Sequence, residues 1–261
     1  MSHRREPAGK SAAMGGTHTE LLVMADPFAG GEPSADTWPR GTLDSGDPAV
    51  HCAVRTPLHY EPGYSYPLIV WFHDRGADER ELLTVLPHIS ERNYAGLSLR
   101  GPLPVGNGLP GQRRWSLADG YLNLLEDELA VCLSHVADRV NIHWDRVIAA
   151  GMGQGATLAL RMLLRRPEWF AGAACLGGEW TSRHRFDWWG RYADKPVWLG
   201  HIRGWSTETS RAAVRYSGLM KTAGLDVTRR MIEFDDAAPG SIGREVDRWL
   251  LQSLCPDSVV T

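Results

Sequence analysis

Five side chains able to ligate or move a proton, His73, Asp74, His201, Asp235 and Asp236, each follow a short apolar run in this 261-residue sequence. Imidazole nitrogens and carboxylate oxygens together suit a divalent ion. Their spacings match no metal motif, and adjacent acids in a loop are ordinarily solvated, so no metal site is expected. Hydroxyls that could attack a carbonyl are Thr157, Ser182, Ser206, Ser210 and Ser241. A hydroxyl becomes a nucleophile only beside a base, and no histidine follows His201. Helix capping or hydration is the plainer role for each. Gly151-Met152-Gly153-Gln154-Gly155 sets three glycines in one stretch. A dinucleotide fingerprint needs two residues in its second interval and an acid about 20 residues on. Here the second interval holds one residue and the acid is missing, so no cofactor is expected.

Aromatic residues form the other conspicuous group. Between Glu179 and Tyr192 the chain places Trp180, Phe186, Trp188, Trp189 and Tyr192 among Arg183, Arg185 and Arg191. Tryptophan, tyrosine and arginine together make interface hot spots and stacking platforms. Trp180, Arg183, Arg185, Trp188, Trp189 and Tyr192 are therefore a candidate binding surface; alternatively these rings fill a cleft and belong to the core. Trp71, Trp198 and Trp249 are core by pattern, whereas Arg113-Arg114-Trp115 reads as a short basic pair on a solvated face.

Composition narrows the rest. Hydrophobic residues at 43% and charged residues at 23% describe a globular chain with a substantial core. A net charge of -3 and a pI near 6.4 give no footprint for nucleic acid. No run of about 18 apolar residues could span a membrane. Cys52, Cys132, Cys175 and Cys255 stand far apart, without metal or disulfide spacing. With no apolar segment after the charged start, a reduced, cytoplasmic protein is expected. The expected partner is a protein, a second copy of this chain included, or a small ligand.

The elements that must position these residues follow from periodicity. Residues 1–48 mix glycine and proline without apolar period, predicting a flexible arm docked at most through Leu21-Leu22-Val23 or Trp38. A domain over 49–255 and a tail over 256–261 complete the chain. Solid apolar runs at Leu68–Phe72, Val147–Ala150, Ala171–Leu176 and Pro196–Leu199 predict strands covered on both faces. Helices are predicted over Glu79–Arg92, Asp119–Ala137, Gln154–Arg165, Glu208–Ala223 and Ile242–Leu254. Their alternation predicts a mostly parallel central sheet with helices on both faces. Ligands of such sheets bind at the strands' carboxyl ends, here the loops after Phe72, Ala150, Leu176, Leu199 and Phe234.

Tyr66-Pro-Leu-Ile-Val-Trp-Phe-His-Asp-Arg-Gly-Ala-Asp-Glu79, Val140–Ala156 with its glycine-framed turn, Pro167–Gly178, Pro196–His201 and a last helix after Met231-Ile-Glu-Phe234 stand in an informative order. In that order they resemble the phospholipase/carboxylesterase (acyl-protein thioesterase-like) group of α/β-hydrolases. The resemblance implies an α/β-hydrolase fold over about 50–254 and ester or thioester substrates. It also implies a Ser–His–acid triad with the serine at the centre of a G-x-S-x-G elbow. Here Gly153 holds the nucleophile's place, Trp205 the acid's and Pro239 the base's. The oxyanion donors implied are the backbone N–H groups of Arg75 and Gln154. The family's turn glycine is replaced by Asp74, whose carboxylate would repel a developing oxyanion unless it points away. The expectation is a catalytically inactive α/β-hydrolase-like protein with a binding, scaffolding or regulatory role. The alternative is a weak carboxylic-ester or thioester hydrolase using an unrecognised nucleophile.

Overall fold

The computed structural model describes residues 19–24, 50–106, 109–180, 192–204, 207–233 and 237–254. In chain order the elements begin with β1 (Thr19–Met24), β2 (Val50–Arg55), β3 (Tyr66–Phe72), α1 (Glu81–Ile89) and β4 (Ala95–Leu99). A small ribbon of β5 (Leu103–Pro104) and β6 (Arg113–Arg114) leads to α2 (Asp119–Ala137), β7 (Ile142–Met152) and α3 (Gln154–Arg165). Then come β8 (Gly172–Leu176), β9 (Pro196–Ile202), α4 (Thr207–Thr222), β10 (Asp226–Ile232) and α5 (Pro239–Leu254).

Eight strands make one sheet in the order β1-β2-β4-β3-β7-β8-β9-β10. Only β2 runs against its neighbours; β4, β3, β7, β8, β9 and β10 are parallel. Side-chain alternation assigns each strand residue to one of two cores. Leu68, Val70, Phe72, Val147 and Ala149 face a core completed by α2, α3 and α4, through residues such as Leu129, Leu158 and Tyr216. Ile69, Trp71, Ile148 and Ala150 face the other, completed by Leu82 and Leu86 of α1 and Trp249 and Leu250 of α5. Burial on both faces is why these strands read as solid apolar runs.

The bounds of α2 and α3 are those the periodicity predicts. Helix α1 is shorter than predicted because Asp78 and Glu79 serve the preceding turn: Asp78 Oδ1 accepts the Arg80 N–H at 3.0 Å, and Glu79 pairs with Arg100. Within residues 1–48, Thr19–Met24 forms β1, paired antiparallel with β2, and Leu21, Leu22 and Val23, the expected docking residues, lie within it. A six-residue run flanked by glycine and proline carries little period of its own; the partner strand supplies what the local pattern lacks.

Candidate functional site

The carboxyl ends of β3, β7 and β8 converge at Gly153, the link between β7 and α3. Its backbone takes φ 54° and ψ −116°, a region that disfavours any side chain. Gly151 and Gly155 are required for a different reason. A Cβ on Gly151 would stand 2.6 Å from the Phe72 carbonyl oxygen, and one on Gly155 2.6 Å from that of His73. The first turn of α3 thus packs directly on the end of β3, which brings the turn after β3 beside the elbow.

That turn carries Asp74 and Arg75. The Arg75 N–H donates to Asp74 Oδ1 at 2.6 Å, and the Gln154 N–H donates to the same oxygen at 2.9 Å. The two expected oxyanion donors therefore do converge on one point. The Asp74 carboxylate, expected from the resemblance to repel an oxyanion or to turn away, instead points at both N–H groups and accepts from each. It also fills the space a side chain at 153 would need: with a Cβ on Gly153, even the farther oxygen, Oδ2, would be only 2.6 Å away. An exogenous carbonyl and Asp74 cannot share these donors.

The surroundings hold Asp74 in this pose. Its N–H donates to Glu81 Oε2 at 3.1 Å, and the same oxygen accepts the Trp71 indole N–H at 2.8 Å. Burial pushes the Glu81 carboxyl upward, while these two hydrogen bonds pull it back. His73 is fully buried; its Nε2 accepts the Gly101 N–H at 2.9 Å, so Nδ1 carries the proton donated to the Asp74 carbonyl at 2.8 Å. Burial lowers its pKa, opposed by its hydrogen bond to Asp74 and by nearby acids. Both ring nitrogens are thus occupied in shaping the turn. Trp115 packs against the His73 ring at 4.7 Å between centroids and donates its indole N–H to the His73 carbonyl at 2.9 Å. The Gln154 side chain closes the arrangement, accepting from Trp115 N at 2.8 Å and donating to Trp115 O at 3.2 Å. Trp115 is in the core, not on a solvated face. Neither it nor Glu81 was found by sequence reasoning, because no motif surrounds either residue.

Other candidates are placed as follows. Thr157 is buried, and its Oγ1 accepts the Glu179 N–H at 2.8 Å, tying α3 to the end of β8. Ser241 Oγ accepts from Arg244 at 3.2 Å within α5. His201 is buried on β9 with Nε2 unpartnered among the described residues. Burial first, then the charge of Arg229, lowers its pKa. Trp180 lies edge-on to it, with ring centroids 6.4 Å apart. Trp180 and Tyr192 are 4% and 2% exposed, and the Tyr192 hydroxyl donates to the Leu164 carbonyl at 3.3 Å. The expectation of a surface role is corrected for these two: both rings are core, buried against the face that α3 covers. Arg183, Arg185, Trp188 and Trp189 lie outside the described residues, as do Ser182, Trp205, Ser206, Asp235 and Asp236. Ser210 falls within α4, and Pro239 opens α5. Among the described residues no three His, Cys, Asp or Glu side chains gather as metal ligands, and no helix is long and apolar enough to cross a membrane.

No family model matches the sequence, and no curated protein is similar to it. Solved structures are informative. A carboxylesterase from Bacillus cereus superposes with a TM-score of 0.60 at 20% identity, over 78% of this chain and 94% of that one. A carboxylesterase from Mesorhizobium loti gives 0.56 at 21%, over 77% and 94%. An S-formylglutathione hydrolase from Agrobacterium tumefaciens gives 0.63 at 12% identity, over 93% and 98%. The chain has the α/β-hydrolase fold.

Proposed function

We propose that this chain is a non-hydrolytic protein on the α/β-hydrolase scaffold, serving a binding, scaffolding or regulatory role. The observation that carries the reading is the Asp74 carboxylate seated on the Arg75 and Gln154 N–H groups, against a glycine at the nucleophile position. Acyl transfer places a negative oxygen between two such donors in the transition state, and losing one donor lowers turnover about 10²–10³-fold. Here both donors already hold an anion belonging to the protein. Absence of the nucleophile is the larger deficit, about 10⁶-fold in a serine protease. The resemblance adds Trp205 and Pro239 where an acid and a histidine would stand. Arg183, Arg185, Trp188 and Trp189 are the residues we assign to partner or ligand contact.

The test is hydrolysis of a short-chain p-nitrophenyl ester, with fluorophosphonate labelling in parallel. The expected rate equals that of heat-denatured protein, with no stoichiometric label. Saturable turnover, or clean modification of one serine, would overturn the proposal in favour of a weak ester or thioester hydrolase. Trp188→Ala with Trp189→Ala is expected to weaken partner capture without lowering the melting temperature.

A further inference from the structure

A cleft of about 390 Å³ opens at the amino ends of the parallel strands. Tyr66 at its wall begins β3 and Phe72 ends it beside the elbow, so the two sites are about 20 Å apart at roughly 3.3 Å per residue. The cleft is independent of the oxyanion site and of the function proposed for it. Its volume is within the range of small-ligand pockets.

Its walls are apolar and its charge is unbalanced. Leu250, Leu251 and Leu254 of α5 form one side, and Leu58, Tyr64 and Tyr66 the other. Tyr64 packs edge-on against Tyr66 at 4.7 Å, yet remains 51% exposed, and Leu251 is 43% exposed. Small-ligand sites are concave and mostly apolar, with a few placed polar groups. Tyr66 is fixed by accepting the Glu61 N–H at 3.0 Å, and Tyr94 by donating to Asp247 at 2.8 Å. The walls are therefore preformed. Arg92 and Arg146 line the same cleft, and among the described residues neither guanidinium has an ion-pair or hydrogen-bond partner. By contrast, Arg100 is paired with Glu79, and Arg165 and Arg166 with Glu126. Glu61 is the one acid in the lining, and His59 completes the ionisable groups. With His59 neutral the lining carries a single net positive charge.

The geometry points to a binding site for an amphipathic monocarboxylate, its hydrocarbon part against the leucines and tyrosines and its carboxylate on Arg92 and Arg146. A guanidinium presents a planar fork matched to a carboxylate. One net positive charge favours a monoanion over a phosphate dianion, and the apolar walls favour a ligand with a tail over a bare anion.

Calorimetric titration with octanoate, octan-1-ol and acetate tests this on the full chain. Octanoate is expected to bind one site at least tenfold more tightly than either comparison ligand. Arg92→Met with Arg146→Met is expected to weaken octanoate at least tenfold and leave octan-1-ol unchanged. Leu251→Glu, at an exposed position that folding does not depend on, is expected to weaken octanoate equally. The proposal is overturned if octanoate does not bind at about 10 mM, a concentration above even a weak millimolar dissociation constant. It is equally overturned if the arginine pair can be removed without effect or if octan-1-ol binds as tightly. If octanoate fails to bind and Arg92→Glu with Arg146→Glu converts a dimer to monomer in sedimentation, the cleft seats a second copy and the ligand reading falls.

Discussion

Replacing Gly153 by alanine and Asp74 by alanine, singly and together, tests whether the carboxylate holds the two donors. A Cβ at 153 would overlap the Asp74 carboxylate, so Gly153→Ala must expel it and break both hydrogen bonds from Arg75 and Gln154. Bonds to a charged acceptor are worth about 1.5–3 kcal/mol each. Asp74 is partly open to solvent, so the lower end applies, about 1–1.5 kcal/mol each after screening. Asp74→Ala alone therefore costs about 2–3 kcal/mol. Gly153→Ala costs about the same plus roughly 1 kcal/mol for a side chain at positive φ, partly offset by a less flexible unfolded chain. In the double variant the bonds are lost once, not twice. The double variant should be about 2 kcal/mol more stable than the sum of single losses predicts. Urea unfolding followed by circular dichroism reads this directly, and each single variant should also melt roughly 4–10 °C lower. Additivity within about 0.5 kcal/mol would refute the account, because independent sites behave that way.

With Trp205 and Pro239 proposed at the acid and base positions, Gly153→Ser is expected not to restore esterase turnover, alone or with Asp74→Gly; brisk hydrolysis of a p-nitrophenyl ester would show that a base had been overlooked. Trp115→Phe removes the indole donor to the buried His73 carbonyl and is expected to cost about 1–3 kcal/mol in urea unfolding. Within the Glu79–Arg100 pair the two single deletions should differ: Glu79 is fully buried and Arg100 is 23% exposed, so Arg100→Leu strands a carboxylate and costs about 3–5 kcal/mol, while Glu79→Leu costs less, and equal losses would sink the argument. His201 has a folded pKa below its ordinary value of 6.5, so below that value the unfolded chain takes up a proton that the folded chain refuses. Stability must then fall as pH drops from 6.5 towards the folded pKa, and a wild-type slope no steeper than that of His201→Leu between about pH 7.5 and 5.5, a window around the ordinary imidazole value, would contradict it.

The sequence carried those features that local pattern encodes. Solid apolar runs locate β3, β7, β8 and β9 because strands covered on both faces cannot alternate. Gly151 and Gly155 locate the elbow because each is pressed against the carbonyls that end β3. Strand β4 escapes notice because Ala95-Gly96-Leu97-Ser98-Leu99 is short and mixed, and becomes a strand only between β2 and β3. Strand β1 is the same case at the sheet's edge. At the site, the identities of Arg75 and Gln154 as donors were legible, because a backbone N–H needs only a position in the fold. The orientation of Asp74 was not. Whether that carboxylate turns in or out depends on Glu81, Trp71 and His73 fixing its backbone, contacts made between the end of β3, the turn after it and α1.

The seat of the Asp74 carboxylate on the Arg75 and Gln154 N–H groups also has a structural logic. The first N–H groups of a helix lack intrahelical partners, and the N-cap of α3, Gly153, has no side chain to satisfy them. In an active α/β-hydrolase those same N–H groups await a substrate oxygen, and water serves them in the interval. In this chain the turn at Gly153 joins β7 to α3 in the middle of the sheet, and the same N–H groups need an acceptor. Asp74 resolves this by acting as a cap supplied from the neighbouring strand's turn. It places a negative charge at the helix N-terminus, where the backbone dipoles favour it, and accepts the Gln154 N–H that Gly153 cannot reach. On the reading proposed above, the carboxylate that stands against acyl transfer also stabilises the start of α3. The two consequences separate experimentally: Asp74→Ala should lower stability without raising ester hydrolysis, whereas a merely blocked enzyme would lose stability and gain turnover.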